Sequence, residues 1–332
     1  MTIIKKLKKP KATSVFNTYW KFAAERQAIF FRKIDNQNKN LTKDFILKKH
    51  RFTNAYRASD RVSQYLIKKV IYKGNKNLKE VFFRILLFKT FNKIETWTHL
   101  NNELGEISFK EYSFKKYCQL LNGARKNNGS MYSGAYIMAS GKSFFGYDKK
   151  HQNHLKLLEL MMKDNLPEKI SRQKSMQNMF ELFKNYPTIG NFLAYQYTID
   201  INYSELTSFS EMDFVEPGPG AMDGIKKCFY DLGDYTESDV IRYVTDIQEK
   251  EFDRLELNFQ DLWGRKLHLI DCQNLFCEVD KYARVAHPKA VGYSNRRRIK
   301  RLYEPNHSII NYWYPPKWKI NQLIKLNNKN HE

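Results

Sequence analysis

The sequence predicts a mainly α-helical protein with basic extensions at both ends. Apolar residues recur at helical spacing through most of the chain, and the period-2 alternation that a large sheet requires is missing. Hydrophobic residues make up 42% of the 332 positions, enough for a sizeable core. Charge is strongly positive but unevenly placed: 57 Lys and Arg stand against 35 Asp and Glu, a formal +22.

Taken in order, residues 1–12 hold five Lys and no acid, and residues 1–45 are expected to form a basic extension. A helical catalytic domain is expected over 46–288. Within it, 55–73 places Val62, Tyr65, Leu66 and Val70 on one helix face, and 78–93 is apolar on most sides, as a buried helix would be. Further helices are expected at about 109–123, 152–164, 171–185, 190–199, 237–258 and 267–285, with room for short strands over 132–138. Residues 205–261 reverse the charge, with 15 acidic and 5 basic side chains. Gly and Pro cluster there in EPGPGAMDG, 216–224, which is expected to be a rigid loop. A basic, aromatic extension is expected over 289–332, with a helix at about 318–327; it begins with KAVGYSNRRRIKR, six basic residues and no acid.

A compositional bias towards Lys would raise it everywhere rather than separate the signs. Basic ends flanking an acidic middle suit a protein that grips a phosphate backbone and keeps carboxylates for a pocket, so double-stranded DNA is the expected partner. The four cysteines suggest a reducing, cytoplasmic compartment; only Cys272 and Cys277 lie close together, so no metal site or other cofactor is expected. The N-terminus lacks an apolar signal core, and no apolar run approaches the ~18 residues of a membrane span. Nothing in the sequence sets an oligomeric state.

One stretch carries the chemistry. In NYPTIGNFLAYQ, 185–196, Pro187 ends one helix and Gly190 stands where the next begins. Gly190 either adopts a positive φ or lets another backbone approach. The first N–H groups of the following helix would present partial positive charge to a phosphate, drawing Thr188, Gly190 and Asn191 into backbone contact. Taken alone, the stretch is better described as a plain turn between helices.

The spacing of hairpin, helix and later Asp resembles the helix-hairpin-helix DNA glycosylases. Their usual Leu-Pro-Gly-Val-Gly is matched by Tyr186-Pro187-Thr188-Ile189-Gly190, with Thr188 in place of the first Gly. Their catalytic Asp follows the second Gly by about twenty positions; Asp213 follows Gly190 by 23, whereas Asp200 falls early but stays open as the alternative. Members that also cut the strand carry a Lys where this chain has Phe192, so the resemblance implies base removal without a lyase step.

A second resemblance covers most of residues 50–285. RFTNAYRASDRVSQYLI, PTIGNFLAYQYTIDINYS, EPGPGAMDGIKKCF and LIDCQNLFCEVDKYARV are similar to the α-glutamyl/putrescinyl thymine pyrophosphorylase family, which includes the helical domain of 5-hydroxymethyldeoxyuridine DNA kinases. That family is a branch of the glycosylase superfamily tied to hypermodified phage DNA. The resemblance implies a monofunctional glycosylase that excises a bulky modified pyrimidine, such as glucosylated 5-hydroxymethylcytosine, in defence against phage. The alternatives are an enzyme of phage-type base hypermodification acting on 5-hydroxymethyluracil, and a DNA-binding protein without catalysis.

Each residue has a role in that reading. Asp213 would stabilise the positive charge that develops on the sugar and orient a water. The base must first leave the stack. Lys226 and Lys227 would add phosphate grip, while Gly218 and Gly220 would let backbone N–H groups approach the ligand. Tyr56 would stack on the extruded base, with Asn54 and Arg57 at its edge. On the helix 267–285, Asp271, Asn274, Glu278 and Lys281 share a side and, with Gln273, would read a sugar on the base. Plain alternatives exist for each set: a helix-capping turn for the glycines, a helix start packed on the core for 56–57, and a solvated polar face for the helix. Gly141-Lys142-Ser143 imitates the end of a phosphate loop, but Tyr136 stands where its first Gly belongs, which disfavours an ATP-dependent kinase site in this stretch.

Overall fold

The computed structural model describes residues 7–35, 41–134, 138–305 and 310–324, and the side chains of all of these except 124–128. The chain forms two compact units, one from Met1–Asp60, Phe214–Tyr312 and Ile320–Glu332, the other from Arg61–Asp213 and Trp313–Lys319. Nearly all regular structure is helical. The first unit opens with α1 (Ser14–Ile34) and α2 (Phe45–Lys49). The second unit holds α3 (Arg61–Tyr65), α4 (Leu78–Phe91), α5 (Ile94–Leu104), α6 (Phe114–Asn128), α7 (Lys142–Phe145), α8 (Lys150–Lys163), α9 (Leu166–Ser171), α10 (Met176–Lys184) and α11 (Asn191–Asn202). The chain then returns to the first unit with α12 (Pro219–Cys228), α13 (Glu237–Asp246), α14 (Gln248–Arg254) and α15 (Leu269–Ala286). Among the described residues the strands are two short ones, β1 (Lys11–Ala12) and β2 (Phe229–Asp231), paired antiparallel.

In the first unit α15 is the central element, with α12, α1 and α13 packed on it. The sequence predicts no helix before residue 55, yet α1 runs for 21 residues and buries Tyr19, Trp20, Phe22 and Phe30. Thr13 starts it by accepting the Val15 N–H at 3.1 Å. The lysines at the N-terminus therefore lead into a core helix rather than a long basic extension. The stretch 216–224 is likewise not a loop throughout, because α12 begins at Pro219, whose missing N–H costs nothing in a first turn. Two glycines let α12 lie against α15. A Cβ on Gly224 would sit 2.0 Å from the Phe276 carbonyl oxygen, and one on Gly220 would sit 2.4 Å from Cys277 Sγ.

In the second unit α4 is buried on nearly all faces, as its composition predicts, and contacts α8, α9 and α11. The helix expected over 55–73 is broken. After a 3-10 turn at Arg57–Ser59 and α3, residues Leu66–Ile71 widen into a π-helix. There the buried Arg84 Nε donates to the Val70 carbonyl at 3.0 Å, an inserted side chain of the kind that unsettles the i→i−4 ladder. The expected helix 237–258 divides at Ile247, where the Gln248 amide draws the Thr245 carbonyl towards Leu267. Within the C-terminal stretch, Trp313 N–H bonds Gln64 and the Lys317 ammonium bonds the carbonyls of Ser204 and Thr207, so 313–317 is docked. The expected helix 318–327 appears as a 3-10 turn at Pro316–Trp318 and one helical turn at 321–324; its last three residues lie outside the described residues, as do 135–137 of the stretch considered for strands.

No helix among the described residues is long and apolar enough to cross a membrane.

Candidate functional site

The hairpin between α10 and α11 is formed in the second unit. Ser175 caps α10 through the Asn178 N–H, and Tyr186 closes the turn by accepting the Ile189 N–H at 3.2 Å. Ile189 is buried, which fixes the turn to the core, while Gly190 and Asn191 are exposed. The positive φ expected at Gly190 falls instead on Thr188, at 68°, and Gly190 is extended at φ −88° and ψ 177°. A β-branched residue in the left-handed region is strained by about 1–3 kcal/mol. Thr188 stands at the position where the Leu-Pro-Gly-Val-Gly pattern carries its first Gly, and its buried Oγ1 has no hydrogen-bond partner. A Cβ added to Gly190 would meet nothing within 4 Å, so neither its φ nor packing inside the chain requires glycine there. Gly190 is the N-cap of α11 and supplies no side-chain cap to the first turn. Phe192 is half-buried in that turn.

The two candidate carboxylates separate sharply. Asp200 is fully buried, 3.1 Å from the Nζ of Lys89, itself 4% exposed and bonded to Asn92. It is an internal charge partner. Asp213 is exposed, in a turn closed by its N–H to the Ser210 carbonyl at 3.1 Å.

In the first unit most of the predicted pocket residues do meet, but they meet each other. Asp271 accepts the Arg57 N–H at 2.9 Å and the His268 N–H at 3.1 Å, closing the start of α15. One turn on, Asn274 donates to Thr53 Oγ1 and the Asn54 carbonyl. Glu278 is buried, accepts the Thr53 N–H at 3.1 Å and pairs with Lys281 at 2.6 Å. Burial works against the Lys281 ammonium, and Glu278 overrides it, so the lysine pKa is raised. Asn54 accepts from Arg26 and donates to the Ser59 carbonyl. The polar face of α15 therefore reads residues 53–57 of its own chain.

Several expectations are corrected by this geometry. Tyr56 is 1% exposed and donates to the Arg265 carbonyl at 2.6 Å, so its ring cannot stack on an extruded base. Arg57, Asp271, Gln273 and Glu278 are all buried, which removes them from a sugar-reading surface. Lys227 is buried and its ammonium sits 2.8 Å from Asp280, out of reach of a phosphate. Gly220 serves the contact of α12 with Cys277, and Gly218 is the buried N-cap of α12 rather than an approach for ligand. Lys226 remains exposed, its Nζ 5.8 Å from the centre of the Tyr293 ring. Gly141-Lys142-Ser143 opens the four-residue α7, and the Lys142 ammonium is taken by Asp148 at 2.6 Å.

Two residues of the seam carried no sequence signal. Arg26, on α1, donates to the Thr53 carbonyl and to Asn54 at 2.9 and 2.7 Å. Asp60 accepts the Asn54 N–H at 2.8 Å. Burial lifts the Asp60 carboxyl to about 7; the Asn54 bond opposes this, Glu278 adds to it, and Arg26 and Arg57 oppose it. A carboxyl poised near neutrality is the kind of group found at functional sites. Arg26 lies on a helix that the sequence did not reveal, and Asp60 lies within the stretch 55–73 that the sequence predicts as a helix, where only the apolar face stands out.

Comparison with known proteins adds the family. A curated relative, the 5-hmdU DNA kinase of Bacillus phage SP10, is 25% identical over 332 residues, covering 94% of this chain and 51% of the relative. The chain thus spans about half the length of the curated relative it matches. No solved structure matches. The family model described as "5-hmdU DNA kinase, helical domain" matches residues 13–292, which include both the hairpin and the seam, and the chain belongs to that family.

Proposed function

We propose that this chain binds DNA carrying a 5-hydroxymethyluracil-type base and serves the enzymatic modification of that base. The observation that carries the reading is the family match over 13–292, supported by a phage relative whose name is a 5-hmdU DNA kinase. The geometry suits the DNA side of such a reaction. Gly190 and Asn191 lie exposed at the start of α11, next to the strained Thr188, where backbone N–H groups can hold a phosphate. Lys226 adds an exposed cation in the first unit. Asp213 is the accessible carboxylate for chemistry at the nucleotide, and Asp200, neutralised by Lys89 in the interior, is not. The engagement of Lys142 by Asp148 argues against a phosphate loop at 141–143.

Excision of the base is the second reading, kept for one observation. Thr188 takes the left-handed conformation at the place of the first hairpin Gly in the glycosylase pattern, with the exposed Asp213 23 residues after Gly190. With Phe192 in place of the lyase Lys, excision would leave an abasic site and an intact strand, and the natural role would be defence against phage.

The test offers duplexes carrying thymine, 5-hydroxymethyluracil, 5-hydroxymethylcytosine or its glucosylated form, with and without ATP. Nucleosides are analysed by mass spectrometry and abasic sites are revealed by alkali. A changed 5-hydroxymethyluracil supports base modification, and abasic sites without ATP support excision. Preferential binding of one modified duplex with no chemical change would leave a DNA-binding module. Neither binding nor product on any duplex would sink all three.

A further inference from the structure

The stretch 289–301 is held in place with its cations outward, although it has no regular secondary structure. Its first half is tied to α12. The buried Asp223 accepts the Ser294 N–H at 2.8 Å and Arg296 Nη2 at 2.9 Å, together with the Ser294 hydroxyl. A Cβ on Gly292 would come within 2.7 Å of that carboxylate, so the segment lies directly on it. Its middle is tied to α15, where Arg284 donates to the Arg298 carbonyl at 2.9 Å. Its end is tied to the residues after α2. Arg51 N–H donates to the Arg301 carbonyl at 3.1 Å, Tyr303 N–H donates to the Lys49 carbonyl at 3.0 Å, and His50 and Leu302 form an antiparallel bridge.

This register places Arg51 opposite Arg301, and like charges directly opposed across a strand pair are destabilising. Arg297, Arg298, Lys300 and Arg301 are exposed, as are Lys49 and Arg51 on the facing segment. None of the six has a carboxylate within ion-pair distance among the described residues, although Arg296, beside them, is neutralised by Asp223. Fixing unneutralised cations together weakens the folded state, so internal stability does not account for the arrangement. A cluster of exposed guanidinium and ammonium groups without carboxylate partners fits a partner that presents several phosphates.

We infer that the strap 297–301 and the facing Lys49 and Arg51 form a phosphate-tracking surface for duplex DNA, separate in sequence from the hairpin at 186–190. The inference rests on DNA being the partner, but not on what is done to the base. Its contacts are to backbone phosphate and carry no base preference.

The test measures binding of an unmodified labelled duplex by the full chain across roughly 50–200 mM salt. A variant with R297Q, R298Q, K300Q and R301Q is compared with one carrying K115Q, K116Q, K163Q and K174Q, four exposed lysines of the second unit. Both lose the same net charge. The strap variant is expected to flatten the slope of log affinity against log salt by about 3.6, at ~0.9 per phosphate contact, and to weaken binding at least tenfold. Wild-type slope in the strap variant, or an equal loss in the control, would overturn the inference. So would loss of RNA binding with DNA binding intact. R51Q separates binding from folding: a slope shallower by about 0.9 with an unchanged or raised melting temperature supports the surface, and a lowered melting temperature with an unchanged slope refutes it. Modified duplexes left unchanged by a protein that shows the expected slopes would count against the proposed function alone.

Discussion

The hairpin at 186–190 and the seam between residues 53–60 and α15 are marked in the sequence by the same kind of signal, polar or flexible residues beside an amphipathic helix. In the structure they behave in opposite ways. In the seam, Asp271, Asn274 and Glu278 each meet a backbone group of 53–57, so the polar face is closed within the chain. In the hairpin, Thr188 holds a strained φ of 68° and Gly190 faces open space. A polar cluster that satisfies itself is architecture. A strained turn beside a glycine that packing within the chain does not require is open to a partner outside it. Four substitutions separate the two regions, from the largest expected change in stability to the smallest.

Glu278→Ala should do the most damage. It leaves the half-buried Thr53 N–H and Lys281 ammonium without their acceptor, at a cost of about 3 kcal/mol. Urea unfolding checks it. A loss under about 1 kcal/mol, with weakened binding of modified over plain duplex, would return Glu278 to the pocket and erase the contrast.

Asp60 tests the seam through pH. Its folded pKa of about 7 lies above the roughly 3.9 of an unfolded Asp, so the native state holds the proton more tightly. Stability from this group is therefore fullest at low pH and falls as pH rises from about 4 to 7. Asp60→Asn, which keeps an oxygen for the Asn54 N–H, should remove that decline. The mutant should gain on the order of 2 kcal/mol over wild type between pH 5 and 8, read from unfolding curves at each pH. Parallel pH profiles would show that Asp60 is not held as the seam requires.

Thr188→Gly addresses the other region. Release of left-handed strain, less the added flexibility of the unfolded chain, should raise stability by about 1 kcal/mol. No gain would mean that the turn is already relaxed.

The contrast also explains what the sequence could and could not reveal. The helices α4, α8, α11 and α15 are legible because one-sided or all-round burial imposes a 3.6-residue period. α12 is hidden because Gly220 and Gly224 read as loop, whereas contact with Cys277 and Phe276 demands residues without a Cβ. α1 is hidden behind the basic run that precedes it. The hairpin is legible because Pro and Gly punctuate any chain. The partners of a polar face are not legible, because Asp271 and Arg57, or Lys227 and Asp280, lie far apart in sequence and meet only through packing.

Gly190→Ala should change stability least and discriminate most. At φ −88° an alanine fits, and its Cβ meets nothing within 4 Å, so the change should stay within about 0.5 kcal/mol, with glycine slightly the better N-cap. A plain turn predicts nothing further. A phosphate seated on the first N–H groups of α11 would lie where the new methyl group projects, and duplex affinity should then fall by about tenfold at unchanged melting temperature. Equal affinity for DNA in the two proteins would put the hairpin alongside the seam, as a device of the fold.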